Sequence, residues 1–150
     1  MKRVVWAAAL FAVASLAAAS AADRSCYSAT DVEAEQAILF QTDLMVISSA
    51  CRDTVYGDFR SRNKDAIIRY QNAMIDHFRR TGARNPKSAF DAWQTTLANE
   101  ASRKQAVVPT AQVCQQSAEM LKLASTFDAR AFHDYAVAHA VNDAHPKCTR

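Results

Sequence analysis

The chain opens on Met1, Lys2 and Arg3 and then runs apolar from Val4 to Ala19, with Ser15 the only polar position. Ser20, Ala21 and Ala22 follow, ahead of the first acidic residue, Asp23. A positive start, an apolar segment and a small-residue exit are the parts of a secretory signal peptide. Cleavage after Ala22 or after Ala21 leaves a small residue three positions back in either case. An uncleaved anchor fits less well. The run is about 16 to 19 residues and rich in alanine, where roughly 20 predominantly apolar residues span a bilayer. Asp23-Arg24-Ser25 before Cys26 is too polar for a lipoprotein signal, and no twin arginine precedes the apolar run. The pattern therefore predicts a cleaved leader over residues 1–22 and a single helical domain over 23–150, a length that one core supports.

Beyond the leader, apolar residues recur at helical spacing. Thr30-Asp31-Val32-Glu33 has the form of a capping box, so a first helix is expected from about Asp31 to Cys51. Ile38, Leu39, Phe40, Leu44, Met45, Val46 and Ile47 cover most of its circumference, as on a helix surrounded by others. Gly57 and the polar stretch Arg60 to Asp65 interrupt the pattern. A second helix follows from about Asn63 to Thr81, with Ile67, Tyr70, Met74 and Phe78 inward and Gly82 ending it. Asn85-Pro86 opens a third, which carries Phe90, Trp93 and Leu97 to about Ala106. Pro109 and Thr110 open a fourth with Val113, Cys114, Leu121 and Ala124 inward. Asp128 caps a fifth, about Ala129 to Asp143, with Phe132, Tyr135 and Ala136 along its stripe. Short connections favour antiparallel neighbours, so the expected fold is all-α, an up-and-down helical bundle of four to five helices.

Composition supports the same class: only two glycines and three prolines occur in 150 residues. Lys2 and Arg3 leave with the signal, so 18 basic residues become 16 against 15 acidic. That near-balance argues against a nucleic-acid partner. No second apolar segment is long enough for a transmembrane span. All four cysteines, Cys26, Cys51, Cys114 and Cys148, lie in the mature part, and an even count in an exported chain reads as two disulfides. Cys26 and Cys51 stand at opposite ends of the first helix, roughly 30 Å apart at 1.5 Å per residue, too far to bridge. Cys51 and Cys114 meet at one end of an up-and-down bundle, which leaves Cys26 for Cys148.

Candidate chemistry is sparse. At about 100° per residue four polar side chains break the apolar stripes: Asp43, His77, Glu100 and His139. In such a bundle they lie at broadly similar heights, within about 11 Å. Two imidazoles and two carboxylates that converged would suit zinc, iron or manganese, or form an acid–base pair. The bundle signature Glu-x-x-His is absent, however, as is His-Glu-x-x-His. Buried Asp and His also serve as caps or as partners for Arg69, Arg130 or Tyr135. His133, His139 and His145 recur every six residues, which sets the first two about 240° apart, unable to share one ion. No serine or cysteine has the context of a nucleophile, no cofactor motif is present, and two glycines 25 residues apart make no phosphate loop. The basic groups Arg60-Ser61-Arg62-Asn63-Lys64 and Arg79-Arg80 with Arg84 and Lys87 read as solvated helix ends. The expectation is a non-enzymatic periplasmic or secreted protein that binds another protein or an envelope component. The alternative is a small metal-binding protein or metallohydrolase using Asp43, His77, Glu100 and His139.

Overall fold

A computed structural model describes residues 26–140 and 145–148; the predicted leader lies outside them. The described chain is all-helical, with six helices: α1 Ala29–Cys51, α2 Val55–Arg62, α3 Lys64–Arg80, α4 Pro86–Ala106, α5 Thr110–Ala124 and α6 Ala129–Ala138. Helix α1 is central, as its near-continuous apolar circumference predicts, and each of the other five packs against it.

Three boundaries differ from expectation, each for a local reason. The capping box at the start of α1 is Ser28 with Asp31, not Thr30 with Glu33. The Ser28 amide donates to Asp31 Oδ2 at 2.8 Å, and the Asp31 amide donates to Ser28 Oγ at 3.2 Å. Two free donors are thereby satisfied two residues earlier than the rival box allows.

The stretch around Gly57 is itself a helix. Phe59 is fully buried there and anchors α2 on the core. Asn63 makes the joint with α3, its side-chain amide donating to the carbonyls of Phe59 (3.0 Å) and Phe127 (3.1 Å). The side-chain amide thus supplies donors to carbonyl oxygens at the joint between the two helices.

Helix α6 stops at Ala138, where Asp143 was expected. The Tyr135 carbonyl accepts both the His139 amide (3.0 Å) and the His139 ring Nδ1–H (2.9 Å), which caps the helix at this residue. Residues 141–144 lie outside the described set.

The larger part of the core gathers Leu44, Ile47, Phe59, Val113, Leu121 and Phe132. Phe132 meets Phe59 edge-on at 4.9 Å between ring centroids, and Tyr70 at 5.5 Å. A smaller part packs Ala34, Ile38, Met74 and Phe90 between α1, α3 and α4. Both expected disulfides are present. Cys51–Cys114 ties the end of α1 to the start of α5, and Cys26–Cys148 ties together the ends of the described chain. Beside the latter, Tyr27 N–H donates to the Pro146 carbonyl (2.8 Å) and Cys148 N–H to the Tyr27 carbonyl (3.1 Å). Cystines of this kind belong to chains that mature in an oxidising compartment. Among the described residues no helix is long and apolar enough to cross a membrane.

Candidate functional site

The four stripe-breaking residues fall in three places. Asp43 and His139 line one hollow between α1, α5 and α6. His77 lies elsewhere on α3, buried against Asp31 and Tyr27. Glu100 is half-exposed on α4, where its nearest cation is Arg103 at 4.0 Å. Among the described residues no group of three or more His, Cys, Asp or Glu side chains is placed to hold a metal ion. Antiparallel packing brings equal heights together, but it does not turn four side chains toward one axis.

The structure instead gathers a polar cluster that sequence reasoning missed, apart from His77. It sits where Cys26–Cys148 closes the chain. Asp31 and Glu35, one turn apart on α1, are 2 % and 4 % exposed, and His77 is 4 % exposed. Asp31 Oδ2 accepts from Arg80 and, at 3.4 Å, from His77 Nδ1. Glu35 Oε1 pairs with His145 Nε2 at 3.0 Å, across 110 residues of sequence. Tyr27 lies between the two imidazoles: its ring stacks on His145 at 4.0 Å and leans on His77 at 4.1 Å. Asp31 and Glu35 fall on the same helix face as Ala34 and Ile38, so a search for polar residues on buried stripes had access to both. Tyr27 and His145 carry no such signal, because they join the cluster only through the disulfide.

The electrostatics of this clasp are unequal. Burial pushes the Asp31 carboxyl up, but the Arg80 guanidinium and the Ser28 amide and hydroxyl outweigh it, leaving Asp31 below its ordinary value. For Glu35 burial wins over the neighbouring His145, and the carboxyl is raised. Its second oxygen, Oε2, is buried with no hydrogen-bond partner. Burial likewise holds His77 below the usual imidazole value, against the pull of Asp31. Burial and the two carboxylates push the Tyr27 hydroxyl up to about 12, so it stays protonated and offers no tyrosinate base or nucleophile at neutral pH. Asp31, Glu35 and His77 are covered almost completely by the surrounding described residues. The cluster fits a structural lock that joins the two ends of the chain.

One open hollow, of about 330 Å³, is lined mainly by polar groups, among them Gln41, Arg60, Gln71 and Gln94, but two others are more apolar. A groove of about 560 Å³ runs between α1, α4 and the start of α5, where Met45, Val46, Ala50, Ala106, Val108 and Val113 supply an apolar lining. Val107, next in sequence to two of these residues, is 83 % exposed. The Asp43 hollow is smaller, about 200 Å³, and is walled chiefly by Leu39, Phe40, Ile47, Met120 and Tyr135. No protein family, curated protein or solved structure matches the chain, so the geometry stands alone.

Proposed function

We propose that the protein is a non-enzymatic, exported binding protein, periplasmic or secreted, whose partner is a protein or another component of the cell envelope. One observation carries this reading. The nearly fully buried Asp31, Glu35 and His77 are engaged in holding together the ends of the described chain, whereas the groove at Met45, Val46 and Val113 is lined mainly by apolar side chains. The larger groove has the size of a ligand site, for which about 300–1,000 Å³ is usual. The two cystines and the well-filled aromatic core suit a rigid scaffold that presents such a surface outside the cytoplasm.

The test is turnover. The exported, disulfide-bonded protein is assayed against hydrolase and oxidoreductase substrate panels at pH 5 to 8. The expected result is no rate above the buffer control. A turnover approaching about 1 s⁻¹, the low end for ordinary enzymes, would sink the proposal.

A further inference from the structure

Asp43 is the acidic member of the smaller hollow. It projects from the middle of α1, partly buried, beside a space of about 200 Å³. Six apolar or aromatic side chains wall that space: Leu39, Phe40 and Ile47 from α1, Met120 from α5, and Tyr135 and Ala136 from α6. Unlike Asp31, Asp43 receives no hydrogen bond and has no cation within ion-pair distance among the described residues. Lys104 on α4 acts on it only through the longer-range field, and burial holds its carboxyl above the ordinary value despite that field.

The other polar groups at the hollow are His139 and the buried Gln36. The His139 ring stacks on Tyr135 at 3.9 Å, nearly parallel at 18°. Its Nδ1 must carry the proton, because the Tyr135 carbonyl it faces at 2.9 Å can only accept. In the neutral ring Nε2 is then an acceptor. The hollow therefore combines an apolar body with a carboxylate, the Gln36 amide and an imidazole acceptor, and the groups that line it include no lysine or arginine.

From this arrangement we propose that the Asp43 hollow is a binding site for a small organic amine, with its apolar part among Phe40, Met120 and Tyr135 and its ammonium group on Asp43. The proposal rests on the binding-protein reading and names the chemical class that this hollow selects. Size agrees, since an apolar cavity of about 150 Å³ takes benzene, and the additional room suits a short amine-bearing arm. Charge agrees too. An ammonium donates to an ionised, partly desolvated carboxylate, and such charge-assisted bonds are about twice as strong as neutral ones. An anion meets the same carboxylate as a repulsion. Lys104 adds a distant charge of the ammonium's own sign, so binding tightens when it is neutralised.

The test uses the disulfide-bonded protein, carrying labelled methionine methyl groups, and two probes of one shape: 2-phenylethylamine and the uncharged 2-phenylethanol. The amine is expected to shift the Met120 methyl resonance saturably at pH 7.5. Asp43→Asn is expected to weaken the amine about tenfold and to leave the alcohol within a factor of two, on a fold unchanged by circular dichroism. Leu39→Trp, which fills the hollow from α1, is expected to abolish the Met120 response to both probes. Equal affinity of the amine for wild type and Asp43→Asn overturns the proposal, as does an amine that binds no better than the alcohol. In either case an alcohol that still binds leaves the broader binding reading in place. Failure of both probes to move Met120 removes the site altogether. Turnover, by contrast, bears on the broader reading alone.

Discussion

Replacing Asp31 with asparagine tests how much the clasp contributes to the fold. The side chain keeps its size and is 2 % exposed, so packing is retained and the change is electrical. Asp31 accepts the Ser28 amide, the Arg80 guanidinium and the His77 ring. Asparagine offers one acceptor oxygen in place of two and puts an amide donor against donors. Loss of half a capping box costs about 1 kcal/mol. Hydrogen bonds to a charged group contribute about 1.5–3 kcal/mol, and the lower end applies because the Arg80 side chain is 49 % exposed and screened by water. Together these predict a loss of about 2–3 kcal/mol at pH 7. With a urea slope of about 2 kcal/mol per molar, the unfolding midpoint falls by roughly 1 to 1.5 M. The sign of the pH dependence is fixed as well. A carboxyl whose folded value lies below its unfolded value contributes stability above the unfolded value and loses it as pH falls through the folded one. Wild type and variant should therefore converge as pH drops below the ordinary value of 3.8. A midpoint unchanged within about 0.3 M at pH 7 would refute the reasoning, and so would a gap that persists at pH 2.

Glu35→Gln should show the opposite trend, because the Glu35 carboxyl is raised: wild type gains stability relative to the variant as pH falls from 7 toward 4.5, read by urea titration across that range. Phe132→Ala, at a fully buried ring packed on Phe59 and Tyr70, should cost about 3–5 kcal/mol and lower the thermal midpoint accordingly in calorimetry. Removing the Cys26–Cys148 bridge with paired serines opens a loop of 122 residues, for which closure entropy predicts a loss of up to about 5 kcal/mol. Amide exchange at Tyr27 and Cys148 should accelerate in that variant before exchange in α3 does.

Much of the architecture was legible because each signal was local. Asn85-Pro86, Pro109-Thr110 and Asp128 mark helix starts at the positions where α4, α5 and α6 begin. The disulfides followed from helix length, since a 23-residue α1 keeps Cys26 and Cys51 apart, together with the antiparallel order that brings Cys51 to Cys114. Helix α2 was hidden because a single aromatic, Phe59, carries its burial, too little to register as a periodicity. Thr30 with Glu33 matched a capping template that Ser28 and Asp31 matched equally well, and sequence does not say which pair closes. The predicted four-residue site failed on direction: helical phase tells which residues turn inward, but not toward which neighbour. His77 was correctly read as buried on α3, yet it turns to Asp31 and Tyr27, away from Asp43 and His139. The clasp could not be read at all without the tertiary closure that brings His145 to Glu35.

If the buried ionisable groups hold the fold and arm no reaction centre, the mature protein carries no bound metal. Native mass spectrometry of the untagged protein, purified from the exported fraction, tests that expectation most directly. The expected species is a chain beginning after Ala21 or Ala22, lighter by the hydrogens of two disulfides and free of stoichiometric metal. One equivalent of zinc, iron or manganese, lost when His77 or His139 is replaced by alanine, would contradict it.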